Sequence, residues 1–212
     1  MAQIICPRSS GHMRGGIRSN PLVLKIPKKT NDTLWTWYSE FLITENTRQI
    51  FEKAGFTGYI LKPVEISGYI AKSKKAGMIV EPERLPILWE VVITGWAGLA
   101  PLDSGVNLSE SRSCSECGYL SYSMFTNPAK LILESQWDKS DFFIVWPLPK
   151  FIFVTERVVK LFEQLKLKGT DFIPVDQLEP AKTGNETLSP GRLSYWMPDD
   201  RAHQLGDPLG IY

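Results

Sequence analysis

Cysteine is scarce in this chain: 212 residues contain three, at positions 6, 114 and 117. So small and odd a number argues against a disulfide framework and suits a reducing compartment, so the expected location is the cytoplasm. Histidine is scarcer still, with only His12 and His203. No HExxH, GxSxG, phosphate-loop or dinucleotide fingerprint accompanies them, so the sequence offers no recognisable catalytic set and reads as non-enzymatic. A surplus of one charge sign is also missing. Twenty-four basic and 23 acidic residues leave a net charge of +1, which gives no broad pull toward nucleic acid or an anionic membrane. Two short basic clusters, Lys25 with Lys28 and Lys29, and Lys72 with Lys74 and Lys75, read as solvated loops. The most apolar window, LPILWEVVITGWAGLA at 85–100, carries Glu90 and falls short of the ~20 apolar residues of a spanning helix. The N-terminal apolar stretch is too short for a secretory signal.

What the chain does contain is a repeat. FLITENTRQIFEKAGFTGYILKPV starts at Phe41 and IFVTERVVKLFEQLKLKGTDFIPV at Ile152, aligned without a gap at an offset of 111. Each copy begins with a β-prone run, Phe41–Ile43 or Ile152–Val154. A threonine follows (Thr44, Thr155) that suits a helix N-cap, then a glutamate (Glu45, Glu156) in the first turn, where the helix dipole favours negative charge. Ile50, Phe51 and Ala54 in one copy, and Val158, Leu161, Phe162 and Leu165 in the other, fall at helical spacing and predict one core-facing stripe. Gly55 can close the first helix, whereas Lys166 at the matching place predicts a different ending. A second β-prone run, Tyr59–Leu61 or Asp171–Ile173, stops at Pro63 or Pro174.

The expected fold is therefore α+β. Two similar strand-helix-strand units pack on a shared or paired, mainly antiparallel sheet, since neither can bury its helix stripe alone. Further strands are expected from 86–96 and 142–146, and the Gly/Ser-rich stretch from Gly98 to Gly118 reads as a connecting loop. The predicted layout is an N-terminal segment over 1–38, a duplicated body over 39–178, and a tail over 179–212. The tail's EPAKTGNETLSPG run is flexible in character, and Tyr195, Trp196, Leu209, Ile211 and Tyr212 would dock it on the body. Trp35, Trp37 and Tyr38, and Trp137, Phe142, Phe143 and Trp146, form aromatic groups that serve either as core or as anchors for a protein partner.

Between the repeated units lies SCSECGY at 113–119, a CxxC followed by glycine. Cys114 and Cys117 make half of a metal knuckle. The other soft ligands near one another in sequence are Cys6 and His12, in CPRSSGH. Together the four would make a Cys3His zinc site. Equally, the CxxC can be a tight turn without metal, Cys6 a small buried apolar residue and His12 an exposed one. Thioredoxin-like redox chemistry fits less well, because no helix opens at the CxxC. The cluster Asp199, Asp200, Arg201 and His203 reads as solvated surface.

The order LPILWEVVITGWAG, loop, CSECGY, DFFIVW and IFVTERVVKLFEQLKLKGTDFIPV resembles the C-terminal half of the double-CXXCG motif family, and the likeness extends upstream over roughly residues 39 to 176. The chain departs from the family pattern in lacking the first CXXCG. The resemblance implies an immunity protein that binds and neutralises a cognate bacterial toxin, and the near-neutral charge predicts no nucleic-acid or membrane partner. A zinc-ribbon-like structural or nucleic-acid-contacting module is the alternative. Nothing in the sequence fixes an oligomeric state.

Overall fold

The computed structural model describes residues 2–4, 6–9, 12, 14–17, 21–36, 39–70, 85–179 and 190–211. Trp37, Tyr38, Lys72, Lys74, Lys75, Tyr212 and the segment 180–189 lie outside the described residues.

The first repeated unit forms as its sequence predicts. Strand β5 (Phe41–Thr44) runs into helix α1 (Glu45–Ala54), with Thr44 as N-cap accepting from the Thr47 N–H at 3.3 Å. Gly55 ends α1 in the left-handed conformation, with the Phe56 N–H reaching back to the Phe51 carbonyl. Strand β6 (Tyr59–Tyr69) follows and does not stop at Pro63. Its first part pairs antiparallel with β7 (Leu88–Ile93), from Tyr59↔Ile93 to Pro63↔Trp89. Its second part, from Val64 onward, pairs in parallel with β3 (Leu22–Ile26) on the other side. The proline stands where the ladder changes sides, so its missing N–H interrupts neither run. With β4 (Thr33–Trp35) outside β5, the sheet order is β3-β6-β7-β5-β4.

The second unit departs from its twin. Strand β12 (Phe153–Val154) leads into helix α2 (Glu156–Leu165) after Thr155. Thr155 makes no side-chain cap; its hydroxyl instead donates to Asp141 Oδ1 at 2.9 Å. Lys166 was expected to end this helix differently, yet it adopts the same left-handed cap as Gly55, at φ 53°, with Leu167 N–H on the Phe162 carbonyl. A side chain in that conformation costs roughly 1–2 kcal/mol, which the surrounding packing must offset. The expected strand at Asp171–Ile173 is not formed. The preceding loop meets the edge of β4 instead, with Thr33 N–H donating to the Lys168 carbonyl and the Thr33 and Thr170 hydroxyls 2.7 Å apart. Leu165, expected on the stripe, is exposed.

The 86–96 region gives two strands, β7 and β8 (Trp96–Leu99), separated by Thr94 and Gly95. Strand β11 (Phe142–Trp146) is buried at every position and lies between β12 and β8, antiparallel to the first and parallel to the second. The stretch from Gly98 to Gly118 is not a loop throughout. It holds the end of β8 and strand β9 (Leu108–Cys114), which forms an antiparallel hairpin with β10 (Tyr119–Tyr122). Serine recurs at 109, 111 and 113, the alternation of a strand, which the overall Gly/Ser content concealed. At the N-terminus β1 (Ala2–Ile4) and β2 (Arg14–Ile17) make a second hairpin. Among the described residues six of the eight strand pairings are antiparallel, and the fold is α+β.

Apart from Leu165, both helices turn their stripes into one interior. Phe51 and Phe162, identical positions of the repeat, pack with rings 5.9 Å apart in a core that includes Phe41, Ile43, Val91, Ile93, Phe142 and Trp146. The C-terminal segment enters the same core through Leu193, Met197 and Ala202, the last on helix α3 (Asp199–Gly206), with Trp196 and Ile211 packed against it. Tyr195 is half-buried and Leu209 is exposed.

Candidate metal centre

Two hairpins bring the sequence-predicted ligands together. Cys6 and His12 stand in the connection between β1 and β2; Cys114 ends β9, and Cys117 lies in the turn before β10. One ligand atom from each of the four residues lies within 4.8 Å of all the others. The Cys6 and Cys114 sulfurs are 3.8 Å apart, and His12 Nδ1 is 3.8 Å from the Cys117 sulfur. A tetrahedral ion with Zn–S bonds of ~2.3 Å and a Zn–N bond of ~2.0 Å would set such separations at about 3.8 Å and about 3.5 Å. The three thiols form no disulfide and are buried, between 3% and 5% exposed, and Tyr119 packs against them. These residues could hold a metal ion. Three thiolates and an imidazole are a donor set for a borderline-soft ion, and four protein ligands leave no open position for catalysis.

The local sequence dictates the turn. Gly118 takes φ +61° and donates its N–H to the Cys114 carbonyl at 2.6 Å, which folds the CxxC back on itself. A Cβ there would stand 2.5 Å from Cγ of Arg192, so the glycine is required both by conformation and by that neighbour. The Cys117 backbone N–H, directed at the Cys114 sulfur, pulls that thiol down to about 6, with help from the Cys117 side chain, the Glu116 N–H and His12, against the upward push of burial. His12 is fixed in orientation by stacking flat on Tyr119, with ring centroids 4.3 Å apart and planes within 4°. An exposed Arg8–Glu116 ion pair at 3.4 Å closes the rim and contributes little energy.

Sequence reasoning missed two neighbours of this centre. Tyr119 follows the CxxCG motif without a role that spacing reveals, and Arg192 carries no local signal at all. Arg192 donates from Nη2 to the carbonyls of Ser115 and Glu116, both at 3.1 Å, so it grips the two residues between the cysteines.

The other polar residues singled out in the sequence do not join this centre. Arg201 turns toward the body, with Nη2 on Asp138 at 2.9 Å and Nε on the Thr94 carbonyl at 3.1 Å, while His203 Nδ1 lies 3.1 Å from Asp207 on its own C-terminal side. Asp199 and Asp200 are exposed in the first turn of α3. Glu45 and Glu156 have separate partners, Arg48 and Trp89 for the first, Lys160 for the second. Of the aromatic groups, Phe142, Phe143 and Trp146 are core, whereas Trp35 is 43% exposed and stacks on Phe41. No helix among the described residues is long and apolar enough to cross a membrane.

No protein-family model and no curated protein matches the chain.

Proposed function

We propose that the protein is a non-enzymatic binding protein with a structural zinc ion held by Cys6, His12, Cys114 and Cys117, and that it acts as an immunity protein masking a cognate bacterial toxin in the cytoplasm. The observation that carries the zinc reading is the assembly of those four donors from two hairpins more than a hundred residues apart in sequence, at separations suited to one tetrahedral ion. Cys6 and His12 supply what the chain's resemblance to the double-CXXCG pattern leaves open, the partner of its single CxxC. The ion would act as a cross-link between the N-terminal hairpin and the β9–β10 hairpin, without a step of chemistry. The immunity role rests on the resemblance in sequence.

The test has two arms. Purified protein is expected to carry one zinc per chain, and Cys114→Ser to lose it, with a fall in melting temperature of about 10 °C. Unchanged metal content in the variant would remove these residues as ligands. Separately, co-expression with the toxin-like product of a neighbouring gene should restore growth and yield a co-purifying complex; no rescue and no complex would end the immunity reading. The second reading, a zinc-ribbon-like module contacting nucleic acid, draws on the facing hairpins, while the near-neutral charge speaks against it. A salt-sensitive shift of labelled DNA or RNA would bring it forward.

A further inference from the structure

The turn that carries two of the metal ligands is also a docking site for the C-terminal segment. Arg192 places one nitrogen between the Ser115 and Glu116 carbonyls, and its stem lies against Gly118. Those two carbonyls converge on one donor only while the CxxC turn holds its tight shape. The next residue, Leu193, is fully buried in the main core and donates its N–H to the Ile211 carbonyl at 3.0 Å. Arg192 therefore sits where the chain passes from the knuckle into the interior.

The same segment carries α3, whose Arg201 is tied to Asp138 and Thr94. Arg201, with Pro198 and Asp200, forms one wall of an open cleft of about 710 Å³, and Thr57, Gly58 and Ser140 belong to the rest of its lining. Loosening the segment would remove that wall.

From this geometry we infer that metal binding and docking of residues 190–211 are coupled through Arg192, so that the metal centre controls whether the α3 wall of the cleft is in place. The inference rests on the metal reading above. An ion bound by Cys114 and Cys117 fixes the turn from inside; Arg192 fixes it from outside with charge-assisted hydrogen bonds. Two ligands that favour one shape of the same turn must favour each other, and by linkage the factor is the same in both directions. Docking of Arg192 raises metal affinity by as much as metal raises docking.

The experiment uses the full chain, loaded with zinc or stripped by a chelator. Hydrogen exchange is followed in peptides covering 193–206, with β7 (88–93) as internal reference, alongside zinc affinity from competition with a chromophoric chelator. Stripping is expected to speed exchange in 193–206 about tenfold while leaving 88–93 unchanged. Arg192→Ala should bind zinc about tenfold more weakly and show the faster exchange even when zinc-saturated. Stripping that variant should then add no further change. Arg192→Lys, which keeps the stem and charge but not the fork, should fall between, and serves if the alanine variant does not fold.

Protection of 193–206 that survives stripping, or wild-type zinc affinity in Arg192→Ala, overturns the coupling while the metal site stands. Exchange rising equally in both segments also overturns it, since the ion would then hold the whole fold. Wild-type protein that takes up no zinc overturns the metal reading and the coupling with it.

Discussion

Asp141 and Arg157 meet at 3.0 Å beside the seam between the two repeated units. Asp141 precedes β11 and is buried, and its carboxylate also accepts from the Thr57 N–H, just after α1, and from the Thr155 hydroxyl, just before α2. Arg157 in turn reaches the Ala54 carbonyl and lies over the Phe56 ring at 5.0 Å. One carboxylate thus joins the end of the first helix to the start of the second. Asp141→Ala is expected to destabilise the protein by about 2 kcal/mol, discounted because Arg157 is itself more than half exposed. Urea unfolding should show the lower midpoint. An unchanged midpoint would mean that the seam is held by apolar packing alone.

The apolar part of that seam centres on Phe51, which is fully buried and has ring contacts with Phe56, Tyr59, Phe142 and Phe162. Phe51→Ala should cost about 3–5 kcal/mol, read by the same denaturation. The loss should exceed that for Phe172→Ala, whose ring is only partly buried and touches Phe162 from one side.

Acid should weaken the start of the first helix. The Arg48 guanidinium, gripping Glu45, holds its carboxyl down at about 2 from the usual 4.5, assisted by the Trp89 indole N–H and Gln49. A depressed carboxylate adds stability that is fully present above about 4.5 and is lost as pH falls through about 2, below which folded and unfolded states are both protonated. Glu45→Gln should therefore melt below wild type at pH 7, and the difference should shrink through that window. Melting curves at stepped pH check this; a gap constant from pH 7 to pH 2 would contradict it.

Gly118→Ala tests the knuckle without touching a ligand. The left-handed backbone and the approach of Arg192 should together cost about 2 kcal/mol and weaken zinc binding severalfold. Melting temperature and chelator competition measure both. Tight zinc binding with an unchanged melting temperature would show the turn to be indifferent to that conformation.

Much of this was legible in the chain. Helix starts at Thr44-Glu45 and Thr155-Glu156, the apolar stripes through Phe51 and Phe162 and the knuckle at Cys114 and Cys117 are set within a few residues of themselves, where capping, periodicity and glycine act. Cys6 and His12 were legible as candidate partners of the knuckle, because they are the other soft donors near one another in sequence; that they meet it was decided by the fold. The likeness of the two repeats predicted matching strands after both helices, and there it misled. Tyr59–Tyr69 found β7 on one side and β3 on the other, whereas Asp171–Ile173 found neither.

The amino-acid sequence alone determined which segments become helix, which face of each is apolar, and which four side chains have the chemistry to share an ion. Only the tertiary structure decided that Pro63 can sit inside a strand, that Lys166 must take a glycine's conformation, that the serine-rich stretch is a strand, and that Arg192 closes on the CxxC turn. The division has a physical cause. Capping and periodicity are energies of neighbours along the chain, while ladder partners, the room for a side chain and the grip of a distant arginine arise between residues that meet only when the whole chain is folded.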